Sequence, residues 1–222
     1  MNADIMAYLI LSVSFLFIFA IGDFLYYYVK IAPEYSRKTV HILSGLLACL
    51  FPVYFSNYWW VLAICISFFV LLKLSMRFNF LKGINGVDRK TYGSMVYPLG
   101  VFLSFFFYSL NINRFVTPPY FLFYIPLLIL TLSDPAAAII GKRFPLKKFT
   151  QKPGSKSCGG SSAFFVTALL ISYFILPVEL RKMGLVISLA IITTLSEAFS
   201  MLGLDNLFIP LSAVLLLYIY IL

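Results

Sequence analysis

Charge is scarce in this chain, and acidic charge most of all: 11% of its 222 residues are charged, with 8 Asp and Glu against 17 Lys and Arg. Soluble domains carry about 25% charged residues, so an ordinary water-soluble domain is excluded. There is one histidine, His41, and there are three cysteines, Cys49, Cys65 and Cys158. The cysteines form no CxxC pair and no metal-ligand spacing, so they indicate neither a zinc site nor a disulfide framework. They read as small core residues. The first residues lack a basic stretch and a small-residue cleavage site, so the first apolar run is expected to be a retained helix. No internal repeat or low-complexity segment stands out.

Apolar residues fill the space that charge leaves. Hydrophobic residues make up 62% of the chain, aromatics 18%, and the mean hydropathy is +0.97. Disordered chains are polar and poor in aromatics, so disorder is excluded as well. A helix crosses a bilayer with about 20 apolar residues. Eight apolar stretches fit that need, at 5–22, 39–55, 58–74, 94–110, 119–141, 160–177, 183–203 and 206–222. Residues 1–222 are therefore expected to form one all-α, polytopic membrane bundle of seven to eight transmembrane helices. The short last stretch leaves room for a re-entrant segment.

The cations set a sidedness. Fourteen of the 17 Lys and Arg fall in the regions after the first, third and fifth stretches. Only Arg114, Arg181 and Lys182 fall on the other side. Cytoplasmic loops carry the Lys and Arg excess. The N-terminus is thus expected outside, with the three basic regions and the last turn in the cytoplasm. This topology accounts for the positive balance without a nucleic acid partner. The expected location is an integral membrane one, the cytoplasmic membrane in a prokaryote.

Four polar clusters share that cytoplasmic side. Glu34, Arg37, Lys38 and His41 lead into the second stretch, and Arg37 and His41 share a helix face at i, i+4. This is either a snorkelling basic belt or an anion-binding helix entrance. Asp88, Arg89, Lys90, Tyr92 and Gly93 precede the fourth stretch, followed by Tyr97, Pro98 and Gly100. Asp134 interrupts the fifth stretch, and an ionisable residue at that depth is usually functional. Asp134 before Pro135 reads as an N-cap, so the helix is expected to break there. Ala136, Ala137, Ala138 and Gly141 admit a close neighbouring backbone. Lys156, Ser157, Gly160 and Ser161 lie in a Gly/Ser loop entering a helix, a setting in which backbone N–H groups and a lysine cradle phosphates. The loop is not a Walker A motif. Glu197, Asp205 and Asn206 follow, and with Asp134 they offer oxygen ligands of the kind Mg2+ takes. Cations for phosphates, carboxylates for a metal and a base for a hydroxyl are what phosphoryl transfer needs.

In order and spacing these clusters resemble the family of dolichol kinase, phytol kinase and the CTP-dependent diacylglycerol kinase. Glu34-x-x-Arg37-Lys38-x-x-His41 is similar to its entrance motif. Arg89-x-x-Tyr92-Gly93 with Tyr97-Pro98-x-Gly100 is similar to its second. Asp134-x-x-Ala137 with Gly141-Lys142 resembles the acidic motif. Lys156-Ser157-x-x-Gly160-Ser161 resembles the nucleotide loop, and Glu197, Asp205, Asn206 and Pro210 the C-terminal motif. Ser133 and Gly159 depart from the pattern, where relatives often carry glycine and an acidic residue. The resemblance implies transfer of the γ-phosphate of CTP, with Mg2+, to an isoprenoid alcohol or diacylglycerol. It implies catalytic roles for Asp134, His41, Arg37 and Lys38. Nucleotide contacts fall to Arg89, Tyr92, Gly93, Lys142, Lys156, Ser157, Gly160 and Ser161. Metal contacts fall to Asp134, Glu197, Asp205 and Asn206. A phosphatidate cytidylyltransferase is the near alternative. A small transporter is the distant one, disfavoured because the polar clusters share one side.

Overall fold

A computed structural model describes residues 3–87, 91–144, 146–147 and 156–221. The described residues hold helices and no β-strand. Helix α1 runs Ala3–Tyr27, α2 Pro33–Ala48, α3 Phe51–Tyr54, α4 Tyr58–Phe78, α5 Lys82–Asn85 and α6 Gly93–Asn111. Helix α7, Phe121–Leu128, passes through a π-helical turn, Ile129–Ser133, into α8, Asp134–Arg143. Helix α9 is Cys158–Ile175, α10 Met183–Phe199 and α11 Asp205–Ile221. All eight apolar stretches are mainly helical, though a turn at Cys49 and Leu50 splits the second into α2 and α3. Five helices are long and apolar enough to cross a membrane, and α10 and α11 are shorter apolar helices. The chain is a polytopic helical membrane protein.

Local chemistry explains the joints. Between the second and third stretches, Asn57 Oδ1 accepts from the Trp59 N–H at 3.0 Å and caps α4. That cap lets a very short link reverse the chain. Asn79 takes the left-handed conformation that ends α4, as Asn commonly does. Gly203, at φ 85°, turns the chain between α10 and α11. A side chain there would also strike Gly93 and Thr91, so glycine is required twice over.

The fifth stretch is the buried axis of the bundle. Phe123, Ile125, Leu127, Ile129 and Leu130 are fully buried in it. Outward faces are apolar too: Val13, Phe17, Trp59, Phe174 and Ile219 are exposed, as lipid-facing side chains must be. The structure corrects one expectation. Ser133 and Asp134 both have right-handed helical backbone, and no side chain caps α8. The chain does not break at Asp134; it widens into a π turn just before it. Pro135 has no N–H, so the carbonyls behind it lose a donor. Widening the turn redistributes those bonds without ending the helix.

Small residues join α8 to α9 as the sequence suggests. A Cβ on Gly141 would lie 2.9 Å from Ser157 Oγ, and one on Gly160 would lie 2.8 Å from the Ala137 carbonyl oxygen. This contact carries Asp134 and Lys156 into the same end of the bundle.

Candidate functional site

The first turns of α2, the Thr91–Tyr92 segment before α6, the starts of α8 and α9 and the turn between α10 and α11 meet at one end of the bundle, where the basic and acidic clusters lie. Tyr92 N–H donates to the Leu202 carbonyl at 2.8 Å. Asn206 Nδ2 donates to the Gly93 carbonyl at 2.7 Å. An Arg37 guanidinium N–H reaches Thr91 Oγ1 at 3.4 Å. A side chain on Gly93 would collide with Arg37 and approach Asn206, so glycine lets these three segments close.

Two ionic clasps lie within this end. In the first, the Lys38 ammonium binds the Asp134 carboxylate, and both side chains are largely buried. His41 Nε2 lies 3.9 Å from the same carboxylate oxygen and 2.9 Å from the Leu130 carbonyl. A carbonyl only accepts, so Nε2 carries the proton in that bond. The neutral ring then keeps Nδ1 as its proton acceptor. Leu130 lies in the π turn five residues before Pro135, so His41 supplies a donor where proline has none. The Tyr97 ring packs 4.5 Å from the His41 ring, centroid to centroid, and its hydroxyl donates to the His41 carbonyl at 3.3 Å.

In the second clasp, Lys156 Nζ lies 2.6 Å from Glu197 Oε1 and 2.8 Å from Asp205 Oδ2. Ser161 Oγ donates to Glu197 Oε2 at 3.3 Å. Burial alone would lower the Lys156 pKa, but Asp205, Glu197 and Asp134 together outweigh it and hold the ammonium well above its ordinary value. Asp134 acts on Lys156 as well as on Lys38, so the two clasps lie within electrostatic reach of each other.

The remaining candidates divide. Ser157 caps α9, its Oγ accepting from Gly160 N–H at 3.2 Å, while Ser161 N–H donates to the Ser157 carbonyl at 2.9 Å. Cys158 N–H is taken by the Leu146 carbonyl at 3.0 Å. Much of this helix start is therefore satisfied within the protein, and Lys156 is its charged feature. Lys142 stands apart: half exposed, 3.9 Å from Glu34 and 5.3 Å from the Tyr35 ring centre. Tyr92 is exposed and joins through its backbone. Arg89 lies outside the described residues.

Among the described residues no three His, Cys, Asp or Glu side chains are grouped to hold a metal ion. The acids are clasped by lysines instead. Mg2+ needs no such cage: it is commonly held by one or two carboxylates together with waters and phosphate oxygens. Asp134 and Asp205 fit that donor set. Asp205 is the more open of the two. Asn206 is engaged with Gly93, and its Oδ1 is buried with no partner among the described residues.

Sequence reasoning did not single out Thr91, which joins Arg37 to Leu202, or the Leu130 carbonyl that orients His41. The proline at 135 was the available signal for the second; the first had none.

Comparison with curated proteins finds phytol kinase of Synechocystis sp., 30% identical over 192 residues, which cover 82% of this chain and 78% of that protein. No family model matches the chain, and no solved structure matches it.

Proposed function

The chain belongs to the phytol kinase family of lipid-alcohol kinases, and from that premise we propose that it moves the γ-phosphate of CTP to the hydroxyl of an isoprenoid alcohol at the cytoplasmic membrane face. The observation that carries the reading is the pair of lysine–carboxylate clasps at one end of an otherwise apolar bundle. Buried ion pairs are weak devices for stability. Two of them at one end of the bundle suit chemistry that handles charge.

Lys156 binds the nucleotide phosphates, exchanging a carboxylate partner for a phosphate oxygen. Lys38 holds Asp134 in place, and Arg37 lends positive charge on the His41 side of the site. Asp134 and Asp205 would hold Mg2+, which supplies charge neutralisation on the phosphates. The lipid hydroxyl oxygen forms a bond to the γ-phosphorus, and the bond from that phosphorus to the bridging oxygen breaks. The nucleoside diphosphate leaves with the bridging oxygen. The hydroxyl proton passes to the basic cluster, where His41 Nδ1 and Asp134 are the acceptors. In-line positioning and charge stabilisation do most of the work in such transfers.

The test is the fate of two labels. Purified protein in nanodiscs receives Mg2+, an isoprenoid alcohol, and CTP labelled at either the α- or the γ-phosphate. Label on the lipid from γ-CTP only is expected. Label from α-CTP on a lipid, with pyrophosphate release, would make the protein a cytidylyltransferase instead.

A further inference from the structure

A cleft runs from the ionic end into the core between α1, α2, α4 and α6. Its upper end is polar, formed by Arg37, His41, Ser94, Tyr97 and Asn206. Below that the walls turn apolar: Val40 and Ala48 from α2, Ile64 and Cys65 from α4, Val101 from α6. Three rings close the lower part. Phe15 packs 5.1 Å from Phe68 and 6.1 Å from Phe51, centre to centre. Phe51 is nearly fully buried and follows the point where α2 ends.

Resting on the kinase reading above, we propose that this cleft seats the hydrocarbon tail of the alcohol, with the hydroxyl at the Arg37–His41 end and the phenylalanine floor limiting tail length. Two further observations point to a ligand carrying one hydroxyl on an apolar chain. Buried polar atoms nearly always have partners. Yet Ser44 Oγ and Asn206 Oδ1, on two residues that line the cleft, have none among the described residues. An Asn Oδ1 only accepts, so its missing partner is a donor, and an alcohol O–H is one. Arg37, His41, Ser94, Tyr97 and Asn206 gather at one end, with Ser44 about one turn further down α2, so a ligand with its polar group at one terminus matches the cleft.

The dimensions narrow the class. From Arg37 to Ala48 the wall is about three turns of α2, or about 16 Å. That is roughly half of a ~30 Å hydrocarbon core. A single isoprenoid chain suits a slot of this depth, and diacylglycerol, with two acyl chains, serves as the contrasting substrate. Ala48 stands about two turns below His41, past the reach of the shortest tails.

The experiment enlarges the wall at two independent places, Ala48→Leu on α2 and Cys65→Leu on α4. Each variant, in nanodiscs, is assayed with geraniol, farnesol and geranylgeraniol, which lengthen by one isoprene unit each, and with a diacylglycerol. A hydrophobic pocket discriminates by about tenfold or more per group added or removed. At least one variant should therefore lose about tenfold or more in kcat/KM for geranylgeraniol and stay within about twofold for geraniol. A geranylgeraniol analogue with a diazirine at its tail end supplies a readout that needs no catalysis. Its crosslinks should map to Phe51, Cys65 or Phe68. Crosslinks in the cleft without any phosphorylation would sink the kinase reading and leave the tail site standing. An unchanged length profile in both folded variants overturns the tail site. So do crosslinks confined to lipid-facing residues such as Val13 and Phe174, even if the protein is an active kinase. If neither variant folds, the crosslink map alone decides.

Discussion

Lys38 meets one carboxylate, Asp134, whereas Lys156 meets two, Glu197 and Asp205. The first clasp is a one-to-one pair set deep in the bundle, with side chains 12% and 6% exposed. The second gives one ammonium to two carboxyl groups, so one acid is left to take a proton or a cation. Its Lys156 is 21% exposed and Asp205 14%. The two clasps divide the labour. A sealed, matched pair fixes the position of its members. An open, mismatched one is built to exchange partners when a charged ligand arrives.

Breaking the sealed pair gives the largest effect. Asp134→Asn should lower the transfer rate by roughly a hundred- to a thousandfold, the cost of removing one preorganised electrostatic group, as measured by γ-label incorporation. Lys38→Met should destabilise the protein by about 3–5 kcal/mol because it strands a buried carboxylate. Thermal unfolding in detergent measures that loss. The double variant Lys38→Met/Asp134→Leu sharpens the point: it should recover most of the stability and none of the activity.

Breaking the open clasp acts on the nucleotide. Lys156→Ala should raise the nucleotide KM by about ten- to a hundredfold, the 1.5–3 kcal/mol of a charged hydrogen bond. Because the Lys156 pKa is raised, its contribution is fully present below the ordinary lysine value of about 10.4 and is lost only as pH climbs through the higher folded value. The nucleotide KM should therefore show no lysine titration between neutral and mildly alkaline pH. Asp205→Asn should act more mildly, raising the Mg2+ concentration for half-maximal rate while leaving the saturated rate near normal. Lys142→Ala should do least. Its pair with Glu34 is half exposed at 3.9 Å, and such surface pairs contribute ~0–1 kcal/mol. Activity within about twofold of wild type is expected.

The fold was legible because composition leaves a membrane chain few choices. Each apolar stretch became helix, the second of them in two pieces, and the Asn57 cap and the Gly203 turn lie where neighbouring stretches adjoin. The candidate residues were legible because charge inside an apolar chain is conspicuous. Asp134 and Glu197 stood out for that reason and Lys156 as the lysine of a Gly/Ser loop, and the helices bring all three to one end of the bundle. What sequence left hidden is partnership. Nothing in spacing says that Lys38 belongs to Asp134, 96 residues away, or Lys156 to Asp205, 49 away. The π turn was hidden because Asp-Pro at a helix start and Asp-Pro after a widened turn look alike in one dimension. The cleft was hidden for another reason. Ala48, Cys65 and Val101 are ordinary core residues in sequence, and only packing of four helices leaves space between them.

That Lys156 meets the nucleotide is the claim on which the two-clasp account rests, and an acyl-phosphate derivative of CTP tests it at the atom concerned. Such a probe acylates a lysine held beside its phosphates, where effective concentration overcomes protonation of the amine. Mass spectrometry of wild-type protein treated with this probe should find the acyl group on Lys156, with excess CTP suppressing it. An unmodified Lys156, with CTP-protected acylation on Lys142 instead, would contradict the account.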